Sequence, residues 1–230
     1  MNKFKKKMKK MILMAFVMIS QLNYSQTSIK LADFDELKVF DQLNVTLIPA
    51  TENKLVITGT NQNNVETVNK NGLLKIRIYL TRILEDNKDL KATLYFKKIK
   101  KIDANEGSNV SCNTAFKQIS LDVSTQEGAR IEVDLDVQNT AVKASSGGII
   151  SLMGKAVTQK VSINSGGSLK AKDLITSQTT INISAGGNAE INATTLVDAK
   201  VNAGRSISIY GKPNEIKQQA LAGGTITEKE

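Results

Sequence analysis

The chain has 230 residues, 40% of them apolar, enough for one cored domain or two small ones. It has no histidine, no tryptophan and only 4% aromatic residues. Without the side chain that titrates near neutrality and is the commonest neutral metal ligand, most hydrolase and metalloenzyme readings lose ground.

Residues 1–25 read as a secretory signal peptide. Lys3, Lys5, Lys6, Lys7, Lys9 and Lys10 form a basic start, and Met11 to Leu22 form an apolar stretch. Asn23, Tyr24 and Ser25 precede a cleavage point before Gln26. The apolar stretch is too short for a membrane span, which needs about 20 residues. No cysteine lies near the cleavage point to take a lipid, so the expectation is export to the periplasm, the cell surface or beyond. Six of the 31 basic residues and none of the 22 acidic ones lie in this segment, so the remainder carries 25 against 22, or +3. The sequence pI near 9.5 is therefore mostly a targeting signal, and a nucleic-acid partner is not expected.

From Ile29 to Phe96 the pattern is β but irregular. Leu43, Val45 and Leu47 alternate with polar residues, as do Leu74, Ile76, Ile78 and Leu80, and Asn71-Gly72 marks a turn. Arg82 to Lys91 reads as an exposed loop. The basic cluster Lys97, Lys98, Lys100 and Lys101 alternates around Ile99 and Ile102, as a solvated edge would. No linker or charge block separates this region from the C-terminal half, so residues 26–230 read as one domain. Its coils are wider and irregular over 26–100 and regular over 101–228.

The C-terminal half repeats. First glycines of small-residue turns fall at Gly107, Gly128, Gly147, Gly166, Gly186, Gly204 and Gly223, a period of about 19 residues, as stacked repeats have. Three residues after each stands an apolar side chain (Val110, Ile131, Ile150, Leu169, Ala189, Ile207, Ile226). Five after come Cys112, Val133, Leu152, Ala171, Ile191 and Ile209, with polar residues between. A second alternating run enters each turn at Ala104, Thr125, Ala144, Ile163, Ile183, Val201 and Ala220. Third-side positions recur less regularly around Phe116, Val137, Val157, Leu174, Leu196 and Ile216. The repeat is too short for a βαβ unit of about 30 residues and suits one coil of a solenoid, with equivalent side chains stacked in columns. The doubled glycines, such as Gly147-Gly148, fit a sharp corner that needs φ > 0. A series of antiparallel hairpins with Gly-Gly turns is the alternative architecture. Cys112, the only cysteine, cannot form an intrachain disulfide and reads as a small buried hydrophobe.

Several stretches together resemble the head GIN domain family, secreted envelope proteins of Bacteroidetes grouped as auto-transporter adhesins. They are Phe34 with Leu37, Val39 and Leu43-Asn44-Val45; Asn71-Gly72-Leu73; Leu94-Tyr95-Phe96 through Lys98 and Ile102 into Glu106-Gly107-Ser108; the serial glycine turns; and Tyr210-Gly211-Lys212-Pro213. The likeness runs over about residues 30–228 and departs at Gly204-Arg205, where flanking repeats have Gly-Gly. It implies an all-β, right-handed parallel β-helix, similar to pectin-lyase-like solenoids but without their catalytic residues.

Such a fold invites a search for lyase or glycosidase groups. Glu132, Asp134 and Asp136 share one strand face, where outward carboxylates could hold Ca²⁺ or act as an acid pair. One repeat later stand Ser151, Met153 and Lys155, so a solvated face is the reading, and no pair of carboxylates is expected to recur on adjacent coils. Aromatic platforms for sugars are scarce, and Tyr210 reads as a cap on the last coils. No catalytic, cofactor or metal residue is assigned, and the ligand-binding residues stay open. The sequence points to a non-enzymatic β-solenoid that offers a surface for adhesion or for an envelope protein or glycan. The alternative is a carbohydrate-active enzyme or sugar-binding module.

Overall fold

The computed structural model describes residues 26–202 and 206–230. The leader expected over residues 1–25 and the Gly204-Arg205 corner lie outside the described residues. The described chain is nearly all strand, as its β-branched alternating runs dictate. β1 (Gln26–Lys30), β2 (Glu36–Val39), β3 (Asn44–Pro49) and β4 (Lys54–Thr58) are followed by a single 3₁₀ turn at Gln62–Asn64. Next come β5 (Val65–Lys70), β6 (Leu73–Ile78), a 3₁₀ turn at Leu80–Arg82, β7 (Lys91–Phe96) and β8 (Lys101–Ala104). Five long strands succeed them: β9 (Asn109–Thr125), β10 (Arg130–Ala144), β11 (Ile149–Ile163), β12 (Ser168–Ile183) and β13 (Asn188–Val201). The short β14 (Ser206–Tyr210), β15 (Glu215–Ala220) and β16 (Thr225–Glu228) complete it.

The long strands pair in parallel, each with the next in sequence, and the register equals the repeat. Arg130 faces Ile149 and Ala144 faces Ile163, with the same offset kept throughout the β10–β11 ladder. The same pairing joins β9 to β10, β11 to β12 and β12 to β13, then β13 to β14 and β15, and β14 to β16. The result is a β-solenoid of about seven turns, and the hairpin alternative fails because successive repeats run parallel. Coils of unequal length are absorbed by bulges, as between Ser151 and Met153.

Two of the predicted columns run unbroken, and the one from Cys112 to Ile209 loses register at the bulges after Ser151 and Lys170. Ala104, Thr125, Ala144, Ile163, Ile183, Val201 and Ala220 stack in register, as do Val110, Ile131, Ile150, Leu169, Ala189, Ile207 and Ile226. All but the last member of each are buried. The third side differs from expectation. Val137 pairs with Ala156, which is buried, and Val157 is exposed. The outward alternation pivots at Gln138-Asn139, where two successive side chains are exposed.

The two glycines of a corner have separate causes, seen at Gly166-Gly167. The hydrogen bond Gly167 N–H to Asn164 O at 3.1 Å closes a four-residue turn, and Ser165 (φ 48) and Gly166 (φ 78) both lie in the left-handed region of a type I′ turn. Gly166 has open space where a Cβ would stand, whereas a Cβ on Gly167 would lie 2.4 Å from Ala144 O of the coil below. Only the first glycine answers to φ; the second answers to backbone approach. Type I′ turns usually close hairpins, but here the flanking strands pair with neighbouring coils instead of with each other.

Residues 26–100, where the sequence suggests wider coils, combine coil layers with antiparallel strands. β2 and β3 form a corner that stacks directly on β8 and the start of β9, with Glu36 opposite Lys101 and Asn44 opposite Asn109. The partners in this contact are separated in sequence by all of β4 to β7. Beyond them β6 lies parallel to β2 and β7 parallel to β3. β4 runs antiparallel to β7, β1 antiparallel to β4, and β5 antiparallel to β6. Leu80 does not extend the β6 alternation: the strand ends at Ile78 and Leu80 is exposed in its 3₁₀ turn. One continuous apolar core still runs from Phe34 to Ile209, and Phe96 stacks on Phe116 across layers with ring centroids 5.4 Å apart.

Candidate functional site

The residues weighed for catalysis are dispersed. Glu132 is exposed on β10 between Ser111 and Ser151 of the adjacent coils. Asp134 faces Met153, and Asp136 forms an exposed ion pair with Lys155 at 3.3 Å. The repeat spacing puts those same neighbours beside them. They share a strand and converge on nothing.

Cys112 is buried, and burial pushes its thiol up from the usual range, which keeps it unreactive. Tyr210 is half-buried on β14, with Lys172 Nζ 4.8 Å from the ring centroid. The lysine cluster is more paired than a free edge. Lys97 reaches Asp33 at 2.8 Å, Lys100 reaches Asp35, and Lys101 lies 3.8 Å from Glu36. The Lys100 ammonium holds the Asp35 carboxyl below the ordinary range. Asp33 and Asp35 come from the segment before β2, brought alongside the lysines by the same stacking of β2 on β8.

Carboxylates do recur on adjacent coils, contrary to expectation. The left-handed corner position is occupied by Asp41, Glu106 and Glu127 in consecutive layers, as Gln42 N–H donating to Glu106 O at 2.8 Å and Gly107 N–H to Glu127 O at 2.9 Å show. Glu106 is held above the ordinary carboxylate range, first by a hydrogen bond with the Asp41 carboxyl, then by partial burial and by the charges of Asp41 and Glu127. The sequence conceals this stack because strands β4 to β7 come between Asp41 and Glu106.

The stack borders a cleft of 790 Å³, the roomiest of the described concavities. Asp41, Gln42, Glu106 and Asn109 line one side, and Ile83, Leu84, Glu85 and Asp86 of the 79–90 loop line the other. Asp41 also accepts a hydrogen bond from Ile78 N–H at 2.8 Å. The loop expected here is exposed, but it is not loose. Asp89 accepts from Thr60 N–H and Oγ1, each at 2.7 Å, and Asn64 Nδ2 donates to Glu85 at 2.9 Å and Asn87 at 3.0 Å. A smaller hollow of 470 Å³ between Lys101, Asp103, Lys143 and Lys160 carries mixed charge over small side chains. Among the described residues no group of acids, cysteines or histidines is arranged to hold a metal, and no helix is long and apolar enough to cross a membrane.

Stacked parallel coils whose polar side chains alternate outward define a β-solenoid. The chain belongs to the family described as "Putative auto-transporter adhesin, head GIN domain", whose model matches residues 33–213. Its fold is that of a "putative adhesin" from Bacteroides fragilis NCTC 9343, at 20% identity over 89% of this chain and 96% of that one, TM-score 0.82. It is also similar to a "putative adhesin" from Parabacteroides distasonis ATCC 8503, at 20% identity over 89% and 96%, TM-score 0.69. A "putative lipid binding protein" from the same strain matches at 17% identity over 91% and 98%, TM-score 0.67. These likenesses concern the fold alone. No curated protein matches the chain.

Proposed function

We propose that this protein is an exported, non-enzymatic β-solenoid that presents its surface for contact with a protein or glycan, in adhesion or envelope scaffolding. In this reading residues 1–25 are a leader removed on export, residues 26–230 form a single domain, and the partner lies at the cell envelope. Family membership over residues 33–213 carries the reading. It is supported by the outward columns, where Lys, Asp, Ser, Thr and Asn alternate along strands such as β10 and β11 without gathering at one point.

The rival, a carbohydrate-active protein, would draw on the corner stack, since a Glu with raised pKa beside an Asp is the form an acid–base pair takes. Glu106 and Asp41 occupy successive layers of one corner column, and the Asp41 carboxyl is the first cause of the raised Glu106 value. The raised value therefore follows from the stacking of the corner itself.

Two assays on the purified protein test the proposal. A glycan array together with binding to envelope fractions should give saturable partners. Incubation with pectin, alginate and other uronic-acid polymers, with and without Ca²⁺, should give no turnover. Cleavage abolished by Asp134→Asn or Glu106→Gln would replace the adhesion reading with the enzymatic one.

A further inference from the structure

The 79–90 loop holds apolar side chains in water through the arrangement of its hydrogen bonds. Leu84 is 98% exposed, Leu80 85% and Ile83 43%. A floppy loop could hide such residues part of the time, but this one is tied on its polar side. Asn61 Nδ2 donates to Asp86 O at 2.9 Å, Asn87 Nδ2 donates to Arg82 O at 3.0 Å and Glu85 O at 3.1 Å, and Arg82 pairs with Glu85 at 2.6 Å. Together with the ties from Thr60 and Asn64, these bonds hold the loop to the 60–64 segment and to itself. The leucines and Ile83 are left outward, and grouped exposed apolar side chains of this kind mark contact sites.

The lining of the cleft is acidic. Asp41 and Glu106 lie on the corner side, Glu85 and Asp86 on the loop side, and Lys88 is the lone cation among the lining residues. Four carboxylates against one ammonium favour a positive ligand, and Ile83 and Leu84 favour one that carries an apolar group as well. The volume lies within the range of about 300–1,000 Å³ in which ligand clefts bury most of a bound molecule.

We infer that this cleft is a docking site for a peptide segment of a partner protein that carries a lysine or arginine next to an aliphatic side chain. The inference rests on the surface-contact reading and names where that contact is made. The cation pairs with the negative charge that Asp41, Glu106 and Glu127 concentrate at the corner. The aliphatic group packs on Ile83 and Leu84. A bare divalent ion is the poorer occupant, because Glu85 is already held by Arg82 and Asn64.

The test uses the purified protein and the fluorescein-labelled hexapeptide Lys-Leu-Lys-Leu-Lys-Leu, read by fluorescence anisotropy, with its Glu-Leu counterpart and CaCl₂ alone as comparisons. The basic peptide should bind saturably and the acidic one should not. Combining Asp41→Asn with Glu106→Gln should weaken binding by about tenfold, and Leu84→Ser by about threefold, while Asp173→Asn with Asp198→Asn, on β12 and β13 further along the stack, should leave it within about twofold. Equal binding of both peptides, no saturable binding of the basic peptide, or insensitivity to the cleft variants would overturn the inference. Failure here beside a positive glycan array or envelope-binding result would remove this site only; failure of all three would remove the adhesion reading too.

Discussion

The coils from β9 onward and the layers before them solve one problem in two ways. In the later region every coil rests on the coil encoded one repeat earlier, so position in sequence and position along the axis advance together. In the earlier region the chain leaves the stack after β3, builds β4 to β7, and returns at β8 to lie on the layer formed by β2 and β3. The regular part therefore repeats its interactions, whereas the excursion creates single ones. The 79–90 loop, the Asp33–Lys97 pair and the Asp41–Glu106 contact all belong to the excursion or to its junction with the stack. Repetition gives the scaffold, and the interruption gives the individuality that a binding site requires.

The largest expected effect tests whether the stack is as uniform as its register. Ile150 and Ile183 are fully buried in different columns. Asp at either should cost several kcal/mol by burying an unpaired carboxylate, whereas Val68→Asp on β5, where Val68 is 37% exposed, should cost less than about 1 kcal/mol. Urea midpoints of the three variants measure this. Equal losses at Ile183 and Val68 would erase the distinction between the two regions.

Next in size is the corner. Gly167→Ala sets a methyl against Ala144 O and should cost about 2–4 kcal/mol, because backbone on the coil below cannot yield. Gly166→Ala meets no atom and should cost only about 1–2 kcal/mol, from the left-handed φ. The order of the two thermal midpoints is the readout, and the reverse order would mean that the backbone contact at Gly167 yields and the left-handed φ at Gly166 is the larger cost.

The regular region is legible in the sequence because each of its rules is local. Period-2 alternation marks the strands, the glycine period sets the coil length, and the offsets of Ile131, Ile150 and Ile163 from their glycines define the columns. The hidden contacts need two distant segments at once. Nothing near Asp41 announces Glu106, and nothing near Lys100 announces Asp35, since register across so long an excursion leaves no periodic trace. Val157 departs from expectation for a smaller reason: at the third side the alternation changes phase within two residues, and an apolar side chain there can face either way. Glycine identity also conceals cause, as Gly166 and Gly167 look alike in sequence and differ in what excludes a Cβ.

A gentler test concerns how the excursion holds its loop. Hydrogen bonds from Thr60 keep the Asp89 carboxyl below its ordinary range, and those from Arg82 and Asn64 do the same for Glu85. With folded values lowered, these ties are present above the ordinary carboxylate pKa and are lost as pH falls through the lowered ones. Asp89→Asn should reduce amide protection over residues 79–90 near neutral pH and leave the global denaturation midpoint where it is. Loss of protection spread through β10 and β11 would show that loop and stack unfold as one unit.

The smallest effect has the opposite sign. Glu106 is raised by Asp41, by burial and by Glu127, so the folded state holds its proton more tightly than the unfolded chain does. Below the ordinary Glu value both states are protonated and nothing is lost. As pH rises from that value through the raised one, the folded state must give up a favoured proton, and stability declines. Glu106→Gln removes the ionisation and should stabilise the protein at pH 7 by less than about 0.5 kcal/mol, the discount reflecting an exposed pair screened by solvent. The gain should fade to nothing near pH 3, which paired urea titrations at the two pH values would resolve. A variant less stable at pH 7 would mean that the Glu106 carboxylate makes a favourable contact outweighing its repulsion with Asp41, and the junction between excursion and stack would then be held by charge instead of despite it.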